Sequence, residues 1–366
     1  MRGGERCLEV VCELFPGAPL YTLLHVPGSV SAIIERRRVV TSFVQRLPGA
    51  ADGYRRYLPL FPAAARSFDL DGYDLIVSLS HCVAKGVRTP PGALHVSYCF
   101  TPMRYVWDLY EDYRAAAAPL TRLAMPAVAA ALRRWDRRTE GVHHFVAISR
   151  HIADRIRRVY GREAEVIHPP VDVARFRPVA RAGDFYLVVG ALVPYKRVDL
   201  AIAAANRLGR RLLVVGTGPE EGRLRALAGP TVEWLGWRPD EEVAELYGRC
   251  RAVLFTAVED YGIVPLEAAA AGRPTIALGR GGVLDTMVPF DGEESGEPPT
   301  ALFYAEQTVD ALADAIRRFE RVEDRFDPVA LRARAARFDR HRFKAAVQEY
   351  LAQRWAAWRA TAPAAR

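Results

Sequence analysis

The sequence predicts two α/β domains, each a doubly wound parallel sheet covered by helices on both faces, and three observations carry that prediction. Short β-rich apolar runs alternate with helical patterns almost from end to end. The runs are near-continuous in Val, Ile and Leu, as strands buried on both faces are. The chain has 366 residues, more than the roughly 250–300 at which a single core stops growing, so the series divides in two.

The first half contains DLIVSLS (Asp74 to Ser80), ALHVSY (Ala93 to Tyr98), HFVAIS (His144 to Ser149) and AEVIH (Ala164 to His168). The second half repeats the rhythm with FYLVVG (Phe185 to Gly190), RLLVVG (Arg211 to Gly216), AVLFTA (Ala252 to Ala257) and PTIAL (Pro274 to Leu278). Between the two series lies HPPVDVARFRP, His168 to Pro178, whose prolines break a helix and suit a linker. The expected division is an N-terminal domain over 1–172, a C-terminal domain over 173–341 and a long terminal helix within 342–366, packed at the domain junction. Ligand is expected where strand C-termini meet in the cleft of such a fold. At the start, Met1-Arg2-Gly3-Gly4-Glu5 runs straight into a helical pattern through Cys7, Leu8, Val11 and Leu14. A glycine loop opening a helix normally follows a strand. The expectation is therefore a missing first strand and an internal start at Met1, with a flexible terminus as the alternative.

Composition narrows the class. With 50% hydrophobic and 26% charged residues the chain can bury ordinary cores and is not disordered. Before Arg177 there are 24 Arg+Lys against 17 Asp+Glu, and from there on 27 against 26, so the net +8 sits almost wholly in the first half. That asymmetry points to an anionic partner on the N-terminal side. Five cysteines without a C-x-x-C pair suggest neither a disulfide framework nor a metal cluster, and a reducing cytoplasm suits them. The Ala-rich stretch after Arg114 is interrupted by Pro119, Arg122 and Pro126, too early to span a bilayer. Contact with a membrane surface stays open. The basic pI has no interleaved aromatic-basic motif beside it, which argues against nucleic acid.

The segment VEDYGIVPLEAAAAGRP, Val258 to Pro274, is the strongest chemical signal. Glu259 follows a predicted strand, Gly262 supplies a turn, Pro265 suits the first helical position and Gly272 the residue past the helix end. Glu267 is then expected in the first helical turn, where the helix dipole favours a carboxylate. Two carboxylates so spaced can hold opposite ends of one ligand, although a surface acid and a first-turn acid fit the same pattern. In LVVGALVPYKRVDLAIAAANRLG, Leu187 to Gly209, Lys196 and Arg197 close a strand-loop-helix unit. A lysine there can neutralise a phosphate beside helix N–H groups, and solvated charges capping a helix are the alternative. Gly216 and Gly218 of VVGTGPEEG form a turn at which backbone can approach a ligand closely, and GRGGVLDT, Gly279 to Thr286, suits a diphosphate.

Taken together, the Glu259-to-Glu267 spacing, VPYKR, GTGPE and SRHIADRIRRVYGREAEVIHPPVDVARF (Ser149 to Phe176) resemble a retaining glycosyltransferase of family 4 with the GT-B fold. YCFTPMRYVWDLYEDY, Tyr98 to Tyr113, is similar to a subgroup of bacterial O-antigen and exopolysaccharide mannosyltransferases. The resemblance covers essentially the whole chain and implies a nucleotide-sugar donor, GDP-mannose in that subgroup, with no metal or other cofactor. It implies that Lys196, with Arg197, grips the donor diphosphate, that Glu267 binds the ribose and that Glu259 touches the transferred sugar. The N–H groups of Gly262, Ile263 and Val264 would lie nearby, with Gly216 and Gly218 on the donor side and Trp237 and Arg238 against the base. Gly3, Gly4, Arg104, Tyr105, Trp107 and Asp108 are the candidate acceptor side, and His81 is an alternative base or acceptor contact, with a histidine that caps a helix as the other reading. The acceptor implied is a lipid-linked saccharide at the inner face of the plasma membrane. Arg133, Arg134, Arg137 and Arg138 follow an apolar stretch, Leu120 to Leu132, a composition that suits contact with anionic lipid and equally a solvated, arginine-rich helix.

Three departures bear on turnover rather than on fold: Ala191 where relatives often carry arginine, Phe100 in place of a histidine, and the absent upstream strand. The Asp-x-Asp of FDLDGYD, Phe68 to Asp74, reads as a turn before a strand. In retaining transfer the acceptor attacks on the face that the diphosphate leaves, through an oxocarbenium-like state, and the diphosphate can take the proton. Rival readings are a nucleotide-sugar epimerase on a similar scaffold and a degenerate, non-catalytic nucleotide-sugar-binding protein.

Overall fold

The computed structural model describes residues 3–361 apart from 180, 181, 291 and 293–295. Met1 and Arg2, where an internal start is expected, lie outside the described residues. The chain divides into two compact units, 1–169 with 343–366, and 170–342. The terminal helix Arg340–Thr361 thus belongs to the first unit for all but its opening residues.

Unit 1 opens with the helix Gly3–Leu14. Strands β1 (Leu20–Thr22) and β2 (Val39–Thr41) pair in parallel with each other. A second parallel sheet has the order β3 (Leu75–Ser80), β4 (Leu94–Cys99), β5 (His144–Ala147) and β6 (Ala164–Val166). All six residues of β4 are buried, as expected of a strand with layers on both faces, whereas the apolar Leu75, Ile76 and Val77 of the edge strand β3 are only half-buried. The terminal helix lays Phe343 against Tyr98 of β4, and Lys344 pairs with Glu13 of the first helix at 3.0 Å.

Unit 2 holds one six-stranded parallel sheet. Its strands are β7 (Phe185–Val189), β8 (Arg211–Val215), β9 (Val232–Gly236), β10 (Ala252–Phe255), β11 (Thr275–Leu278) and β12 (Ala301–Tyr304). Their spatial order is β12-β11-β10-β7-β8-β9. The chain leaves β7 in one direction and returns at β10 to fill the other side, so the topological switch point lies between these two neighbours. In open α/β sheets ligands bind outside the strand C-termini at such a point. All eight predicted runs form strands; β1, β2, β9 and β12 add four that the pattern did not show.

The covering helices begin where their sequences allow. Thr308 caps Val309–Val322 by accepting from the Ala311 N–H, and Asp327 caps Pro328–Ala336 through the Val329 and Ala330 N–H groups, with proline in the first turn.

Candidate active site

Two loops flank the switch point of unit 2, one after β7 carrying Lys196 and one after β10 carrying Glu259. Their side chains form a direct, mostly buried ion pair, Lys196 Nζ to Glu259 Oε1. Thr256, just past β10, donates its hydroxyl to the Lys196 carbonyl at 2.7 Å, and Gln307 donates to the Thr256 carbonyl at 2.8 Å. Three loops are thereby tied together beneath the pair. Arg197 adopts φ 49°, the one non-glycine residue in the left-handed region among the described residues. Such a conformation costs about 1 kcal/mol or more and persists only where its surroundings impose it. Its guanidinium is engaged by Asp199 in two bonds, Nε to Oδ1 and Nη2 to Oδ2, both at 3.1 Å. The fold therefore brings Lys196, but not the Arg197 side chain, to Glu259.

The glycines predicted to face a ligand are explained by the protein itself. Gly216 has φ 129°, and a Cβ there would strike the Gly190 carbonyl; one on Gly218 would strike the Leu192 carbonyl. Backbone bonds bind the same two loops, Gly190 N–H to Val215 O and Leu192 N–H to Thr217 O, each at 3.0 Å. These glycines let the Lys196 loop lie against its neighbour. The Gly279–Gly282 loop behaves likewise: the Gly282 N–H donates to the Glu259 carbonyl at 2.8 Å, and a Cβ on Gly282 would meet the backbone of Asp260 and Tyr261. The loop is a brace that fixes Glu259.

Beyond Glu259, Gly262 at φ 86° turns the chain into the helix Ile263–Ala270. The N–H groups of Ile263 and Val264 open that helix with no partner within it, and a helix N-terminus attracts anions. Glu267 is the fifth helical residue and Pro265 the third, so both lie deeper than expected because the helix begins immediately after Gly262. Glu267 therefore owes its placement to side-chain contact: the buried Tyr247 donates to Glu267 Oε2 at 3.0 Å. Trp237, 70% exposed, and Arg238, paired with Glu242 at 3.3 Å, stand in the loop after β9, two strands from β7.

In unit 1 the sequence-predicted acceptor side is only partly assembled. Gly4 lies beside Phe100, so that a Cβ there would sit 3.4 Å from the ring, and Gly3 opens the same helix. His81 is exposed just past the C-terminal end of β3. Trp107 and Asp108 turn out to be anchors. The Trp107 indole donates to Asp136 Oδ2 at 2.8 Å, and Asp108 pairs with Arg155 Nε at 3.2 Å. Asp136 is fully buried with Lys85 at 3.3 Å and the Tyr160 hydroxyl at 3.0 Å, while Arg155 also donates to Thr101 at 2.9 Å. The segment between β4 and the next helix is thus pinned by two buried charges of opposite sign. Arg104 and Tyr105, between Thr101 and Trp107, are half-buried.

Asp71, Gly72 and Asp69 form a turn, with the Asp71 N–H bonded to Asp69 Oδ1 at 3.1 Å and Gly72 at φ 86°. No group of three or more His, Cys, Asp or Glu side chains among the described residues is placed to hold a metal. All five cysteines are buried and none forms a disulfide among the described residues. Sequence reasoning missed Thr256, Gln307, Tyr247, Asp136 and Arg155. Only Thr256, at the end of a predicted strand, carried a local signal.

Residues 175–338 match the family model described as Glycosyl transferases group 1. Over 131 residues the chain is 34% identical to a GDP-mannose-dependent alpha-mannosyltransferase of Mycobacterium tuberculosis, covering 32% of this chain and 34% of that protein. Over 120 residues it is 33% identical to O-antigen chain mannosyltransferase C of Escherichia coli, covering 31% and 32%. Over 173 residues it is 35% identical to a D-inositol 3-phosphate glycosyltransferase of Acidothermus cellulolyticus, covering 37% of each. The chain thus spans about a third of the length of these curated relatives. Among solved structures, sucrose-phosphate synthase from Thermosynechococcus elongatus aligns with TM-score 0.69 at 20% identity, over 96% of this chain and 92% of that one. Anabaena HepE, in complex with UDP and glucose, aligns with TM-score 0.64 at 18% identity over 96% of each. The chain has the GT-B fold.

Proposed function

We propose that the protein is a retaining glycosyltransferase of family 4 that transfers a hexose, mannose from GDP-mannose, to a lipid-linked saccharide in cell-surface polysaccharide synthesis. The observation that carries the reading is the Lys196–Glu259 pair at the β7/β10 switch point, beside the N-terminus of the helix Ile263–Ala270. A nucleotide-sugar exchanges partners with that pair: its diphosphate takes the Lys196 ammonium and its sugar hydroxyls take the Glu259 carboxylate. The N–H groups of Gly262, Ile263 and Val264 donate to the same anionic region, Glu267, oriented by Tyr247, holds the ribose hydroxyls, and exposed Trp237 with Arg238 lies against the base. Charge developing on the departing diphosphate is stabilised by donors already in place. The acceptor hydroxyl attacks on the face the diphosphate leaves and gives it the proton, so no protein nucleophile is needed.

Support for mannose and for GDP comes from the relatives so named, and support for an O-antigen role from the Escherichia coli relative. The inositol-phosphate relative supports a phosphate-bearing acceptor as a second reading. Support for a cytoplasmic membrane surface comes from the helix Pro119–Asp136, whose exposed face carries Leu123 at 81% exposure with Arg122 and Arg134 and has no acidic residue before Asp136. No described helix is long and apolar enough to cross a membrane.

The test is transfer of label from GDP-mannose, with UDP-glucose alongside, to extracted lipid-linked saccharides and to inositol phosphate. Lys196→Ala and Glu259→Ala are expected to lower transfer by about 10²–10³-fold with folding unchanged. Transfer that persists in both variants overturns the assignment of the pair. Donor isomerised without acceptor, or bound without turnover, replaces the reading with the epimerase or the binding protein.

A further inference from the structure

In unit 1 the 3-10 turn Tyr54–Leu60 and the segment that ends at Tyr113 bring together one guanidinium and three phenols. Arg55 stands 5.7 Å over the Tyr54 ring, and the Tyr105 and Tyr113 rings are 5.2 Å apart. Arg55 lies within electrostatic reach of all three phenols, and Tyr105 within reach of the other three groups. Tyr54 stacks on the buried Phe61, and Tyr105 packs against the same core cluster, so the base of the group is rigid. Arg55 and Tyr113 are exposed, and Tyr54 and Tyr105 are half-buried.

Two features are out of keeping with a merely structural role. Arg55 has no carboxylate partner among the described residues, and the groups that act on it electrostatically are Tyr54, Tyr105 and Tyr113. The Tyr105 and Tyr113 hydroxyls make no hydrogen bond to the described protein, which leaves both able to donate to a ligand and to accept from it. Phenol faces pack against the C–H faces of a sugar ring, their hydroxyls exchange hydrogen bonds with its hydroxyls, and a guanidinium binds phosphate or carboxylate in two parallel bonds.

We propose that Tyr54, Arg55, Tyr105 and Tyr113 form a binding subsite for an anionic saccharide, a sugar bearing a phosphate or a carboxylate. Its role as the acceptor subsite rests on the reading of the preceding subsection, and the binding itself does not. The anchors at Trp107 and Asp108 hold the segment that contributes Tyr105, so the subsite is formed before ligand arrives.

Calorimetric titration of the full chain with mannose 1-phosphate, glucuronic acid, methyl mannoside and inorganic phosphate tests it. The measurements are made in the Glu259→Ala background, which removes the proposed donor-sugar contact. At least one of the two anionic sugars is expected to bind about tenfold or more tighter than methyl mannoside and than inorganic phosphate, and which one does so identifies the charge. Arg55→Gln is expected to abolish that margin, and Tyr105→Phe, which keeps the packing, to weaken both anionic and neutral sugar by about threefold. An unchanged margin in Arg55→Gln, equal binding of inorganic phosphate, or no saccharide binding overturns the proposal. Binding with these properties in a protein that fails every transfer assay leaves the subsite standing and removes the transferase reading alone.

Discussion

In unit 2 the residues at the switch point are positioned by backbone. The Lys196 loop lies on the Gly216–Gly218 loop through N–H to carbonyl bonds, and the Glu259 loop on Gly281 and Gly282. In unit 1 the segment carrying Arg104 and Tyr105 is positioned by side chains, Asp136 holding Trp107 and Arg155 holding Asp108 and Thr101. The two solutions respond differently to change. A glycine-packed loop tolerates no Cβ at the contact, whatever the side chain. A segment held by buried charge tolerates changes of shape but not the loss of one partner, which strands the other in a medium that cannot solvate it.

The largest stability effect is expected at the buried charges. Asp136→Ala leaves the 2%-exposed Lys85 unpaired and removes the acceptor of Trp107 and Tyr160, and is expected to destabilise unit 1 by about 3–5 kcal/mol. Denaturant melting together with the near-ultraviolet circular dichroism of the tryptophans reads it. The double variant Lys85→Met with Asp136→Leu is expected to recover most of the loss, and equal instability of both variants would show that the charges are not what holds the segment.

Next in size is a pH effect confined to unit 1. His95 is fully buried, with Nε2 bonded to Ser78 Oγ at 2.8 Å and Nδ1 to the Gly141 carbonyl at 2.9 Å. Burial lowers its pKa from the ordinary 6.5 to about 4. The unfolded chain therefore takes up the proton first, so the stabilisation is complete above pH 6.5 and is lost as pH falls towards 4, by about 3 kcal/mol at 1.4 kcal/mol per unit. Urea midpoints at pH 7 and pH 4 should differ accordingly in the wild type and less in His95→Gln. An equal acid loss in that variant would assign the effect elsewhere.

Backbone packing in unit 2 gives a smaller but pH-independent effect. Gly216→Ala introduces a Cβ against the Gly190 carbonyl at a φ of 129° and is expected to cost about 2 kcal/mol, with the same loss at pH 5 and pH 8. A thermal melt that matches the wild type would mean that the loop can move aside. The smallest effect is expected at Trp237→Ala, where removal of a 70%-exposed ring should leave the melting temperature unchanged and raise only the KM for the nucleotide donor. A fall in kcat at unchanged KM would take Trp237 out of the base-binding role.

The legibility of the two halves follows the same division. Glu259, Gly262 and Lys196 could be read from sequence because the features that place them are local: a buried apolar strand, a turn glycine, a short loop. Even there the reasons differed from expectation, since Gly216 and Gly282 serve neighbouring loops and Glu267 is oriented by Tyr247, twenty residues away. Asp136, Arg155 and Lys85 carried no such mark, because an isolated charge in a helical pattern looks like a solvated face until the element that covers it is known. Strands β1 and β2 are three residues each, too short for a periodic pattern to register.

By itself the sequence determined the α/β class and the eight apolar strands, because near-continuous Val, Ile and Leu runs alternating with helical patterns suit a parallel sheet covered on both faces. It also placed Lys196 and Glu259 on loops after strands. Only the tertiary structure decided that those two side chains meet, since β7 and β10 become neighbours through sheet order and not through chain proximity. Tertiary structure alone likewise decided that Trp107 and Asp108 pair with Asp136 and Arg155 and that Arg55 has no carboxylate partner among the described residues. Burial and pairing of charge depend on what distant segments bring, and that is set only when the chain closes on itself.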